Sequence, residues 1–491
     1  MKSSGFLFYV LFSLLFGAVL FPDFIPSIFG SYADQRLLLS ISLVVLTASG
    51  LIWLSFKGAF SDWLKCLWPF LLLLSSFVLA ALQQNSQPFG LVEPFFYALF
   101  FLCFGMLGGV LRQAGLVRES AQAAVQVSVV FCFFYGAMTI TVYLFAIADG
   151  FSNLDEIIPW GFVNIRYWSQ VATWVIPLFP LATLLAPWKE SRLWQLGVAF
   201  TAAIWWWIIF LSSSRGSMLG LAFGFLLVWV FFGSTAIAWM KLFVRFVIYG
   251  LVVWLLLSVL IPSLVFDDLH IRNISGSSSG RMPLWREAWA MSIQSFPFGM
   301  GPQSWLTHEI LTDAYRSSPK FGHPHNMYLM WAAEYGWISI VGLFLAGSYG
   351  LKRLSRRAST LREIQDPEGL WLIAFTASVT AALLHAGVSA VFIAPGSMLV
   401  GVLVLTVFWA LILPERTKLG LVGSSRRYSR ATGCVLVLLF LIAGGLWFRD
   451  VLRYQQAMED DLEYYQNELS MGHLPRFWFH GNFPRHPTQM P

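Results

Sequence analysis

The stretch that decides the fold is SMLGLAFGFLLVWVFFGSTAIAWM (217–240) followed, after Lys241 to Arg245, by FVIYGLVVWLLLSVLIPSLVF (246–266). Neither run holds a charged residue. At 1.5 Å per residue, about 20 apolar residues cross the hydrocarbon core of a bilayer as a helix. A membrane demands a helix because it offers no water to satisfy backbone N–H and C=O groups. Working outward, similar runs recur near 5–21, 37–56, 64–84, 89–111, 122–148, 168–187, 194–212, 326–350, 370–393, 397–413 and 432–448. The composition agrees: 57% of the 491 residues are hydrophobic and 11% are charged, where a soluble domain carries roughly a quarter charged. The expected fold is an all-α integral membrane protein, a polytopic bundle of about 12–13 transmembrane helices. The first run has no small-residue cleavage site and reads as a span. No β-barrel alternation is present.

Lysine and arginine set the orientation. With the N-terminus inside, the inner loops hold Lys57 and Lys65, Arg112 and Arg118, Lys189 and Arg192, Lys241 and Arg245, then Lys352 to Arg362 and Arg416 to Arg430. The short outer loops hold single arginines, Arg36, Arg166 and Arg215. The net charge of +6 is thus used for orientation, and nucleic acid is not an expected partner. The implied organisation is transmembrane helices over 1–266, one large outer loop over 267–325, further transmembrane helices over 326–448 and a tail over 449–491. An odd number of spans puts the tail outside; an interfacial 432–448 would leave it inside. The four cysteines, Cys66, Cys103, Cys132 and Cys434, all lie in apolar runs and read as small buried residues, not as a disulfide framework.

The outer loop holds four of the eight histidines, His270, His308, His323 and His325. It opens on a Ser/Gly-rich stretch, Asn273 to Gly280, and then reads Gly280-Arg281-Met282-Pro283-Leu284-Trp285-Arg286-Glu287-Ala288. Proline is tolerated in a first helical turn, so a helix is expected to start at Arg281 to Pro283 with Leu284, Ala288 and Met291 on one apolar face. A cation at a helix N-terminus opposes the macrodipole unless an anion sits there too, which makes Arg281 a candidate phosphate contact. Arg286 lies roughly 140° around that helix and is not expected to share the ligand. Pro297 to Pro302 reads as a tight turn. The loop closes at Gly322-His323-Pro324-His325-Asn326. A helix beginning there would line up His325, Leu329, Ala332, Gly336 and Ser339, with Ala332 and Gly336 small enough for another helix to pack closely. His325 would stand at its outer end, where a neutral imidazole can take a proton. Glu334 falls about 180° away and is not its expected partner. The bland readings are solvated arginines and capping or interfacial histidines.

Arg215 follows Ser212-Ser213-Ser214 between two spans with almost no loop, and Arg166 stands similarly at the start of a span. An arginine at such depth is costly and is a functional candidate, with snorkelling to headgroups as the alternative. His385, alone in an apolar run, reads as a satisfied bundle histidine. No metal-ligand spacing such as HExxH appears.

Taken together these residues resemble the O-antigen ligase and polymerase superfamily. His325-Asn326, nine residues, then Gly336-Trp337-Ile338-Ser339 is similar to the ligase pattern, with Ser339 standing where the pattern has Gly, Thr or Tyr. The Ser-Arg-Gly turn at Arg215, the Gly-Arg-x-x-x-Trp start at Arg281 and the Pro297 to Gly301 turn also look like the family. The resemblance implies a bacterial inner-membrane glycosyltransferase, metal-independent and inverting, with no cofactor and an active site facing the periplasm. It would move a glycan from undecaprenyl pyrophosphate to an acceptor hydroxyl, most directly that of lipid A–core. On that reading His325 is the catalytic base and Arg215 and Arg281 bind pyrophosphate. Arg166, Arg286 and His323 are secondary candidates. The same scaffold serves O-antigen polymerases and ligases that glycosylate pilin or other proteins; this tail is short beside the extension such protein ligases often carry. A polysaccharide or lipid transporter is the alternative from another class. Transporters place charge near the midplane in repeated halves, whereas here the charges cluster on the outer side.

Overall fold

The computed structural model describes residues 3–24, 31–57, 60–83, 89–162, 164–266, 280–364, 368–414, 423–469 and 474–481. The Ser/Gly-rich opening of the loop with His270, the basic residues Arg416 and Lys418 and the end of the tail lie outside the described residues, as do the side chains of Lys65, Cys66, Arg426 and Arg427. All regular structure among the described residues is helical. Among the described residues, ten helices are long and apolar enough to cross a membrane. One of them, Arg215–Val265, holds two helices, Arg215–Phe232 and Ile237–Trp254, joined by a single 3-10 turn at Gly233–Ala236. Shorter apolar helices at Gly5–Leu20 and Leu67–Leu82 add to these. The protein is a polytopic all-α membrane protein, as the apolar runs require.

The chain forms two compact units, each assembled from separated stretches of sequence. The first comprises Met1–Ser31, Gly115–Gly276 and Ser355–Leu411. Its tightest pairing sets Arg215–Phe232 against Glu368–Ala386. The reason is a stripe of glycines one turn apart. A Cβ on Gly220 would lie 2.5 Å from the Ala381 carbonyl oxygen, and one on Gly224 2.5 Å from that of Ala377. Lipid tails are as apolar as leucine, so helices in a bilayer associate through close packing of this kind more than through the hydrophobic effect.

The second unit comprises Tyr32–Ala114, Ser277–Leu354 and Ile412–Pro491. Val92–Ala114 packs on Phe60–Gln83 and on Tyr32–Lys57, which also meets Gly423–Tyr464. This unit carries the described part of the large loop. The helix Arg281–Gln294 begins where the sequence predicts, behind Gly280 in the left-handed region (φ 70°). Its expected apolar face is also observed: Leu284, Ala288 and Met291 are buried with Trp305, Tyr315 and Ala333 in one cluster.

Within the loop, Glu287 is fully buried and acts as a hub. It accepts hydrogen bonds from His308 Nε2 (3.0 Å), Leu311 N (2.7 Å), Thr312 N (2.9 Å) and the Thr312 hydroxyl. Burial raises the Tyr315 phenol above its usual range, with Glu287 adding to the effect. Replacing Glu287 by Gln turns an acceptor toward donors. Hydrogen bonds to a charged group are worth about 1.5–3 kcal/mol each, and a buried group left unpaired costs more. Glu287→Gln is therefore expected to loosen the loop by about 3 kcal/mol, read as roughly hundredfold faster proteolysis between His308 and Asp313. An unchanged cleavage rate would show that Glu287 does not hold the loop.

Candidate functional site

The helix after the loop begins at Met327, two residues beyond His325. Asn326 is its cap: the Oδ1 of Asn326 accepts from Leu329 N at 3.0 Å, and its carbonyl accepts from Met330 N at 3.0 Å. That satisfies orphan donors of the first turn. It also corrects the expected register, because His325 is left outside the helix, in the left-handed region at φ 54°. The side chain is buried. Its backbone N–H donates to His323 Nδ1 at 3.1 Å, so that nitrogen is an acceptor and His323 carries its ring proton on Nε2 while this bond holds. The two imidazoles meet edge to face with centroids 4.4 Å apart, and Phe321 covers His325 at 5.0 Å.

The expected helical face does not continue through Gly336 either. That residue has φ 71° and ψ 176° and breaks the helix. The close approach anticipated there is made by the Pro297–Gly299 turn, not by another helix. A Cβ on Gly336 would stand 2.0 Å from the Pro297 carbonyl oxygen. The break frees backbone groups that the turn takes up: Met300 N donates to Ala333 O (2.8 Å), Gly301 N to Glu334 O (3.0 Å) and Ile338 N to Pro297 O (3.3 Å). Ala332 is buried beside this junction. The turn and the helix break are thus one feature, and it anchors the loop just beyond His325.

Sequence reasoning missed a buried ion cluster in the same unit. Arg476, from the tail, is 1% exposed. Its Nε donates to Glu93 Oε1 at 3.1 Å, and its Nη2 is paired with Glu334. Arg36 donates to the Phe477 carbonyl at 3.0 Å and lies over the Phe96 ring. Burial works to lower the Arg476 pKa, but Glu334 and then Glu93 outweigh it and raise it well above its usual value. The described tail segment 474–481 therefore lies at the loop end of this unit. A signal was present: a carboxylate inside an apolar run, as Glu93 and Glu334 both are, is rare and calls for a partner.

Arg281 is half-buried at the first position of its helix, and Arg286 is exposed further along it.

In the other unit, two arginines stand at helix starts. Arg215 opens Arg215–Phe232, after a turn in which Ser213 has φ 48°. Arg166 is exposed in the first turn of Ile165–Val175, whose cap is Asn164. The two helices meet one turn on, where Ser217 Oγ donates to the Ser169 carbonyl at 2.9 Å. Arg166 and Arg215 are thereby brought to the same end of a helix pair, where both macrodipoles are positive and an anion would be welcome. His385 is buried beneath, with Nδ1 3.0 Å from Thr173 Oγ1. A Cβ on Gly216 would come within 2.7 Å of its ring.

These positions can be set against known families. Residues 182–344 match the O-antigen ligase family. The match covers about a third of the chain and takes in Arg215, Arg281, Arg286, His323, His325, Ala332 and Gly336, leaving Arg166 and Arg476 outside it. No curated protein sequence matches the chain. The resemblance to the O-antigen ligase superfamily read from the motifs therefore stands, and it supports glycosyl transfer of the O-antigen ligase and polymerase kind.

Proposed function

We propose that this protein transfers a glycan from undecaprenyl pyrophosphate to an acceptor hydroxyl at the periplasmic face of the bacterial inner membrane, with lipid A–core as the acceptor. The observation that carries this reading is the O-antigen ligase match, which encloses Arg215, Arg281 and His325 together. The reaction is a single inverting displacement without a metal. The acceptor oxygen bonds to the anomeric carbon as the bond from that carbon to the pyrophosphate oxygen breaks. The leaving oxygen keeps the electron pair, and the hydroxyl proton passes to His325. General-base catalysis of this kind contributes about 10²–10⁴ in rate. Arg215 and Arg281 neutralise charge that grows on the pyrophosphate, since planar guanidinium groups match its oxygens in pairs. His323 keeps His325 in place through its backbone. Arg166, at the same helix end as Arg215, is a secondary contact for the anion, and Arg286 has a lesser role at the loop surface.

The test is complementation of a strain lacking its ligase, read as glycan-capped lipopolysaccharide at matched membrane abundance. Wild type is expected to restore capping. Arg215→Ala should lose about 10²–10³ in rate, the usual cost of removing a group aimed at transition-state charge. Arg215→Lys, which keeps the charge without the fork, should recover only part of it. Lengthened lipid-linked glycan, or added mass on pilin, would keep the transferase and change the acceptor. Equal capping by wild type and Arg215→Ala would remove Arg215 from the site.

A further inference from the structure

We infer that the C-terminal segment 474–481 is a strap that positions His325, with Arg476 as its anchoring residue; this rests on the reading of His325 as the base. The segment closes on itself, Leu474 N donating to His480 O and Arg476 N to Trp478 O, both at 3.0 Å. It is seated on one face of the helix Tyr32–Lys57. Tyr32 donates its hydroxyl to the Arg476 carbonyl at 2.6 Å, and Arg36 donates to the next carbonyl, that of Phe477.

From this seat the Arg476 guanidinium reaches both ends of the segment that carries His325. Upstream, Nη1 donates to the Gly322 carbonyl at 3.4 Å. The two backbones are in contact there: a Cβ on Gly322 would lie 2.5 Å from the carbonyl oxygens of both Leu474 and Pro475. Only His323 and Pro324 separate Gly322 from His325, and His323 is the residue that holds the His325 backbone N–H. Downstream, Nη2 pairs with Glu334. The same carboxylate accepts from Trp305 N at 3.1 Å, so it also ties in the loop. One side chain thus fixes the chain before and after the histidine.

The chemistry of the cluster fits positioning better than simple stabilisation. Two cations, Arg36 and Arg476, and two carboxylates, Glu93 and Glu334, are all buried to within 2% exposure. Removing such charges from water is expensive, and apolar residues of the same volume usually hold a fold as well or better. What an apolar side chain cannot do is fix direction toward a carbonyl and two carboxylates at once. A general base displaced by 1 Å loses about 10²-fold in rate.

The experiment uses purified full-length protein, undecaprenyl pyrophosphate-linked glycan as donor and lipid A–core as acceptor. Turnover is expressed per folded molecule, counted by fluorescence-detected size exclusion. Arg476→Gln is expected to lower kcat about 10²-fold while leaving the donor KM within about twofold, because the donor is held by other arginines. Arg476→Lys should recover part of the kcat. Because Arg476→Gln leaves Glu93 and Glu334 with Arg36 as the one buried cation between them, the charge-balanced Glu334→Gln/Arg476→Met protein is measured beside it. It should fold and show the same loss in kcat. Wild-type kcat per folded molecule in either protein overturns the strap. A rise in donor KM in place of the fall in kcat does so too. If His325→Asn itself turns over like wild type, the base is wrong and the strap falls with it. If His325→Asn is inactive and the Arg476 variants are not, the strap alone fails.

Discussion

A His325→Asn protein is expected to insert and fold like the wild type and to transfer glycan about 10²–10⁴ times more slowly. Asparagine is the informative replacement because of the backbone. His325 sits at φ 54°, a region that costs most L-residues roughly 1–2 kcal/mol and that asparagine tolerates better than alanine does. Alanine would mix strain with lost chemistry. Asparagine keeps the local fold, including the bond from its backbone N–H to His323, and removes only the proton acceptor. The measurement is kcat at saturating donor and acceptor, per folded molecule. A kcat within a few-fold of wild type would mean that another group takes the hydroxyl proton.

Gly336→Ala is expected to damage the second unit severely with a single methyl group. At φ 71° and ψ 176° the residue occupies a region that is essentially glycine's alone. Strain there costs of order 1–3 kcal/mol. The added Cβ would also stand 2.0 Å from Pro297 O and 2.3 Å from the Phe298 carbonyl carbon. Both are backbone atoms, so no side chain can swing aside. Overpacking adds about 1–3 kcal/mol, and the two together are a large part of a total stability of 5–15 kcal/mol. The Pro297–Gly301 turn must leave the helix break, and the loop then loses its anchor beyond His325. The expected result is little monodisperse protein in detergent, or folded protein with a melting temperature lowered by several degrees and no transfer. A wild-type melting curve would show that the turn does not pack on Gly336 in the membrane.

Much of this was legible in the sequence, and the rest was hidden for definite reasons. Uncharged runs such as 217–240 specify helices because a bilayer permits nothing else for a lone segment. The start of the Arg281 helix and its Leu284, Ala288 and Met291 face followed from local rules, proline tolerance and 3.6-residue spacing. The face through His325 and Gly336 failed on two local facts. Asn326 caps the helix and excludes His325, which an asparagine before an apolar run could have signalled. Gly336 interrupts it, and a lone glycine in an apolar helix reads equally as a packing site or a break. The Arg476 cluster was not legible at all as a pairing. Its partners Glu93 and Glu334 lie 383 and 142 residues away, and no periodicity connects a coil tail to two spans. Only the cost of a carboxylate in an apolar run pointed to a missing cation.

The most direct test of glycan transfer is to incubate the purified protein in lipid with undecaprenyl pyrophosphate-linked glycan and lipid A–core, and to follow both products by mass spectrometry. The expected product is a glycolipid heavier by the mass of the glycan, formed mole for mole with free undecaprenyl pyrophosphate. Folded protein that releases no undecaprenyl pyrophosphate, with lipid A–core, a second lipid-linked glycan or pilin as acceptor, would contradict it.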